Sequence, residues 1–312
     1  MLGPGSDAAA DGLDGRIVKT LDIAARWGYG LSVHQLATLL YGGPVPEGDV
    51  ARAVRETSGV AREDGFATVA GREELLAKSI DRHRTNGTLA EAYLGIARAF
   101  TRDLLRHSPF VRAVAISGST ASGGLGQGDD VDLNLFAEDG TKYIVYLTAL
   151  LLGVKYSIGH RRRFANGSAF LGLLPKVTCV NVVWTEGQSR PFVRQDEFLA
   201  FELLRSRAIA GEDHYRQILE ANPWLREHFP QALEIPKREA VTVPRGSVFA
   251  RLQRWFARTP ARRRWLDRAC RVVARALHRV VDLSRSRDPE AIRRAQFLRR
   301  VKFPYDVFQD GP

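Results

Sequence analysis

The sequence predicts an α+β protein, and three observations predict it. Short β-branched runs bounded by turns, at 111–116, 131–136 and 176–184, read as strands. Long segments with apolar residues at helical spacing lie before, between and after them. The chain has 312 residues, of which 45% are apolar, enough for two or three domains with real cores.

In chain order, residues 1–15 are rich in Gly, Ala and Asp and lack an apolar segment. They read as a disordered start without a secretory signal. A helix over 16–28 places Ile17, Leu21, Ala24 and Ala25 on one face, and Gly28-Tyr29-Gly30 stops it. Ser32 is the candidate N-cap of a second helix carrying Leu36, Leu39 and Leu40. Gly42-Gly43-Pro44 breaks the chain again, and a third helix follows over 47–57 with Val50 and Val54 inward. Residues 60–69 read as a hairpin around Asp64-Gly65. Three helices and a hairpin resemble a winged helix, but the charge argues against duplex DNA. From 31 to 71 there are three arginines and five acids, and affinity for DNA comes mainly from neutralising phosphates. Packing within the protein or a protein partner fits better.

Residues 72–107 form a long helical connection, with a break expected at Asn86-Gly87. Leu89, Tyr93, Ile96, Ala97, Phe100 and Leu104 make its apolar stripe, and Ser108-Pro109 ends it.

The stretch 111–136 organises the rest. An apolar strand runs into Gly118-Ser119, and a Gly-rich loop then leads to Asp130-Val131-Asp132 and a second strand. On a strand of period two, Asp130 and Asp132 share a face. Two carboxylates this close resist ionising together unless a cation lies between them, and Mg²⁺ prefers one or two carboxylates plus substrate phosphates. Free backbone N–H groups at a Gly-Ser turn favour phosphate. Together these features describe a site for a metal-bound nucleoside triphosphate.

An apolar strand, Gly118-Ser119, ten residues and then Asp130-Val131-Asp132 resemble the signature of the DNA polymerase β-like nucleotidyltransferase superfamily, over about residues 109–190. The resemblance implies a mixed sheet with flanking helices. It implies Mg²⁺ or Mn²⁺ held by Asp130 and Asp132, and an NTP held through Gly118 and Ser119. Lys176, at the head of the next strand, is counted with these two as nucleotide-binding. Superfamily enzymes place a third carboxylate on a neighbouring strand, where it ligates a second metal and helps deprotonate the attacking hydroxyl. The expected partner strand, 176–184, holds no Asp or Glu, and Asn181 stands where the acid belongs. An amide can ligate but cannot act as a base. Glu138 and Glu186 are the remaining candidates for that role.

After the site, an apolar helix is expected from Tyr143 to Gly153, and residues 160–167 form a basic loop suited to phosphate contact. Residues 195–229 read as helical throughout, with Phe198, Phe201 and Leu204 on one face and then Tyr215, Ile218 and Leu219. Asn222-Pro223-Trp224-Leu225 with Phe229-Pro230 resembles the tail of a little-characterised bacterial branch of the superfamily, in which a winged-helix-like region precedes the core. A linker follows over 231–245.

Net charge is +11, but it is concentrated: residues 245–302 hold eighteen basic residues and four acids. Residues 247–283 alternate those arginines with Phe249, Leu252, Trp255, Trp265 and other apolar positions, a basic amphipathic pattern suited to an anionic membrane surface or to RNA. No apolar run is long enough to span a bilayer. Cys179 and Cys270 form neither a metal spacing nor a disulfide framework, which fits a cytoplasmic protein, with a peripheral membrane location open to the basic helices.

The expected organisation is therefore a disordered start (1–15), a winged-helix-like domain (16–72), a connecting helix (73–108), a nucleotidyltransferase core (109–190) and a helical C-terminal region with basic helices (191–312). The expected activity is transfer of an NMP group from an NTP to an acceptor hydroxyl, with release of pyrophosphate. Two alternatives stand beside it: a nucleotide-binding or scaffold protein without turnover, and a membrane- or nucleic-acid-associated protein that uses its basic helices.

Overall fold

The computed structural model describes residues 12–161, 169–170, 174–234, 241–242, 245–285, 296 and 308, with side chains excluded at 169–170 and 280–285. Most of the expected disordered start, most of the basic loop at 160–167, part of the expected linker and the basic residues beyond 285 lie outside these. The described residues fall into two compact units, drawn from Met1–Thr88, Arg194–Ser206 and Arg216–Pro236, and from Leu89–Val193, Arg207–Tyr215 and Lys237–Pro312. The expected C-terminal region is thus divided between them.

In the first unit, α1 (Leu13–Arg26), α2 (Val33–Thr38) and α3 (Glu47–Glu56) enclose a three-stranded antiparallel sheet of β1 (Leu31–Ser32), β2 (Val60–Glu63) and β3 (Phe66–Val69). The apolar face read from the sequence is the buried one: Ile17, Leu21, Leu36, Leu40 and Val50 are inaccessible to solvent. The helix begins at Leu13, three residues inside the stretch expected to be disordered. The β2–β3 turn uses Asp64 (φ 47°) and Gly65 (φ 77°), the left-handed pair that matches strand twist in a two-residue hairpin. Ser32 caps α2 with a full capping box, its hydroxyl accepting from the Gln35 N–H and the Gln35 side chain accepting from the Ser32 N–H. Ser32→Ala should lower stability by about 1 kcal/mol in a denaturant titration. Later segments complete this unit: α8 (Glu197–Arg205), α10 (Leu225–His228) and a 3₁₀ turn at Pro230–Leu233.

Helix α4 (Glu74–His107) runs unbroken through Asn86-Gly87. A helical glycine costs only about 1 kcal/mol relative to alanine, and the stripe beyond it, from Tyr93 to Leu104, is buried in the core of the second unit. A Cβ at Gly87 would meet nothing within 4 Å. Gly87→Ala should therefore raise stability by roughly 0.5–1 kcal/mol, read as a higher denaturation midpoint.

The second unit is built on a mixed four-stranded sheet in the order β8-β5-β4-β9. Strands β4 (Val111–Ile116) and β5 (Val131–Ala137) are antiparallel, β8 (Thr178–Thr185) is parallel to β5, and β9 (Arg207–Ala210) is antiparallel to β4. A small pair, β6 (Ala169–Phe170) and β7 (Leu174–Pro175), precedes β8. The helices of this unit are α5 (Gly118–Ser122), α6 (Lys142–Gly159), α7 (Glu186–Ser189), the first residues of α9 (Glu212–Glu220), α11 (Val248–Phe256) and α12 (Pro260–Arg285). One face of the sheet, with Leu133, Leu135 and Val183, is buried under α4 and α6 residues such as Phe100, Leu104, Ile144 and Val145. Among the described residues no helix is long and apolar enough to cross a membrane.

Strand β9 corrects the expectation of continuous helix over 195–229. It pairs Ala210 with Val114 and Ala208 with Ala115, and it ends at Gly211 with φ 66°. A Cβ on Gly211 would meet the Arg112 carbonyl oxygen and lie 2.8 Å from Ala113 Cα, so backbone meets backbone with no side chain free to give way. Gly211→Ala should cost on the order of 3 kcal/mol or more, seen as a lowered melting temperature.

Candidate functional site

The site is assembled where β4 ends and β5 begins. Ser117 closes β4, and its N–H donates to the Asp132 carbonyl at 2.9 Å, drawing the turn onto the new strand. Gly118 follows with φ 60°, opening the short helix α5. A Cβ there would lie 2.9 Å from Asp132 Cγ and 3.1 Å from Asp132 Cβ, closer still to the carboxylate oxygen. Glycine is required on both counts: the left-handed backbone conformation and the carboxylate packed against it. Ser119, partly exposed, is the next residue of α5.

Asp130 immediately precedes β5 and Asp132 is its second residue, so the period of two puts both carboxylates on one side. The parallel register sets Cys179 opposite Asp132. Carboxylate oxygens of Asp130 and Asp132 and the Cys179 sulfur all lie within 4.8 Å of one another. Asp130 is only 6% exposed. Lys176, two residues ahead of β8, forms an ion pair with its Oδ2. Burial alone would depress the Lys176 ammonium, but Asp130, Cys179 and Asp132 outweigh it and hold its pKa above that of a free lysine. Burial pushes the Cys179 thiol up to about 11, against the pull of Lys176.

Asn181 takes a different place from the one expected of a third ligand. Leu133 pairs with Val180 and Asn134 with Val182, so Asn181 is the extra residue of a bulge in β8. Its Nδ2 donates to Ser117 Oγ at 3.0 Å, and Ser117 Oγ in turn donates to Asn134 Oδ1 at 3.4 Å. This chain ties β8, β4 and β5 together directly beneath the Gly118 turn. Asn181 supports the turn, and Cys179 lies beside the carboxylates.

The two alternative bases lie elsewhere. Glu138 follows the far end of β5, six residues and roughly 20 Å along the strand from Asp132. Arg112 reaches it at 3.2 Å and Arg263 at 3.5 Å, and Arg112 is also 3.8 Å from Glu186. Both acids therefore belong to a surface ion-pair group around Arg112. Among the described residues, no third carboxylate joins the Asp130–Asp132 group within 4.8 Å.

The donor set decides what cation it fits. Two carboxylates suit a hard cation such as Mg²⁺, whereas a protonated thiol does not ligate it. With both carboxylates ionised, Lys176 protonated and Cys179 neutral, the cluster carries one net negative charge. That attracts a divalent cation, and among the described residues no further carboxylate is grouped with the pair to hold a second. In the sequence Cys179 has no cysteine or histidine at ligand spacing and gives no metal signal. Its relation to Asp132 arises from strand register alone, which cysteine spacing does not reveal. No protein-family model, curated protein or solved structure matches this chain.

Proposed function

We propose that the second unit holds a polymerase β-like nucleotidyltransferase core, which binds an NTP with a single Mg²⁺ or Mn²⁺ and transfers its NMP group to an acceptor hydroxyl, releasing pyrophosphate. The observation that carries this reading is the packing of Gly118 onto Asp132, which puts a Gly-Ser turn and a carboxylate pair at one point. Asp130 and Asp132 would hold the cation, which when bound offsets negative charge on the phosphates. The turn at Gly118 and Ser119 offers backbone N–H groups to a phosphate. Lys176 pairs with the buried Asp130 carboxylate and adds a positive charge beside the phosphate position. Asn181, through Ser117, keeps the turn in register with β5. The three helices and hairpin of the first unit fit a winged-helix-like module for a protein partner, since their acids outnumber their arginines.

A second reading, nucleotide binding without turnover, is favoured by a specific observation: among the described residues no third carboxylate is grouped with Asp130 and Asp132, Glu138 being engaged by Arg112 and Arg263 and Glu186 lying beside Arg112. Incubation of the protein with each of the four NTPs and Mg²⁺ or Mn²⁺, with and without a cell-extract fraction of small molecules, RNA or protein as acceptor, separates the two. Pyrophosphate release that is lost in Asp132→Asn supports transfer. Stoichiometric nucleotide binding with no pyrophosphate in any mixture supports the second reading.

A further inference from the structure

The outward face of α11 and α12 is not absorbed by the nucleotide site. Helix α12 docks through one stripe: Leu266, Cys270 and Ala274 pack on the core of the second unit, and Asp267 Oδ1 accepts from the Tyr143 and Ile144 N–H groups at 2.7 and 3.1 Å. Those are orphan donors in the first turn of α6, so a carboxylate from another helix caps it. On α11, Gln253 turns inward to Thr148 at 3.2 Å and Ala250 is buried.

The opposite stripe is apolar and exposed. Leu252 and Trp255 on α11 are 58% and 54% exposed, and Trp265 and Val272 on α12 are 61% and 68% exposed. Phe256 bridges the two helices, with its ring 5.8 Å from that of Trp265. Trp265 and Val272 are seven residues apart, so they lie on one line along a helix ~39 Å long. Arginine surrounds this line. Between residues 247 and 279 there are ten arginines and a single acid, and that acid is the inward-facing Asp267. At helical spacing, Arg268 and Arg279 fall to one side of the Trp265–Val272 line and Arg262 to the other.

We propose that this face binds an anionic lipid bilayer surface, with Leu252, Trp255, Trp265 and Val272 entering the headgroup boundary and the flanking arginines pairing with lipid phosphates. Large exposed apolar stripes rimmed by one sign of charge mark interaction surfaces, and tryptophan and aliphatic side chains between arginines are the composition of helices that lie in a membrane interface. RNA would use the arginines and could stack on tryptophan, but it gives Leu252 and Val272 no apolar partner. The inference is independent of the nucleotide reading, and either can fail alone.

The test uses the full chain with vesicles of phosphatidylcholine alone or with about one third phosphatidylserine. Co-sedimentation and tryptophan emission are read together, because Trp184 and Trp224 are buried whereas Trp255 and Trp265 are exposed. Binding to anionic vesicles at least about tenfold tighter than to neutral ones, weakened by salt, with a blue shift of emission, is expected. Leu252→Glu and Val272→Glu, both at exposed positions, should each weaken it about tenfold without changing the melting temperature. Equal or absent partition to the two vesicle types would overturn the proposal, as would unaltered binding by both Glu variants. So would single-stranded RNA binding that exceeds vesicle binding and ignores Leu252→Glu. Acrylamide that fails to quench Trp255 and Trp265 in the free protein would also overturn it, because the face would then be covered by the chain's own last residues or by a second copy.

Discussion

Lys176→Met is expected to destabilise the protein by about 3–5 kcal/mol, because it leaves the Asp130 carboxylate buried without its ion-pair partner. Methionine keeps the length and apolar stem of the side chain, so the loss reports the charge. The double variant Lys176→Met/Asp130→Asn removes both charges and should recover more than half of that loss, as measured by a double-mutant cycle in urea. The pH dependence has a definite sign. The Lys176 pKa is raised in the folded protein, so its contribution is fully present below the ordinary lysine pKa and fades only as pH rises beyond it. The gap between wild type and Lys176→Met should therefore not shrink as pH rises from about 6 to about 9 and should shrink only above about pH 10.4. A gap that shrinks within that neutral window would mean that another group sets it.

Asp132→Asn is expected to weaken Mg²⁺-dependent nucleotide binding by roughly a hundredfold or more, while leaving the fold intact. The amide has the shape of the carboxylate it replaces, so its contact with Gly118 is kept, but it takes one negative charge from a cluster that has only one to spare. Equilibrium dialysis of a labelled NTP with and without Mg²⁺ reads the change. Gly118→Ala should give a similar loss by another route. Its Cβ would displace the Asp132 carboxylate, and the left-handed backbone adds strain of about 1 kcal/mol.

Local chemistry carried much of what was legible in the sequence. Asp64-Gly65 specifies its turn through left-handed backbone preference, Ser32 specifies a helix start through its hydroxyl, and the alternation from Asp130 to Phe136 specifies which side chains share a face. The features that escaped it depend on partners distant in the chain. Strand β9 is four residues long between two helices, and it exists because Gly211 lets the backbone close on Arg112 and Ala113. The neighbour of Asp132 is Cys179 because the parallel register to β5 decides it, a bulge further along β8 sets Asn181 aside from pairing with Asn134, and no pattern within 176–184 encodes either. Asn86-Gly87 carries a breaker signal, yet the apolar stripe that follows holds the helix together across it.

The most direct measurement of the central claim is calorimetric titration of the protein with each NTP in the presence and absence of Mg²⁺, repeated on Asp132→Asn. One NTP bound per chain, dependent on Mg²⁺ and lost in Asp132→Asn, is the predicted result. Absence of binding by all four NTPs, or binding that is indifferent to both Mg²⁺ and Asp132→Asn, would contradict a one-cation nucleotide site at Asp130 and Asp132.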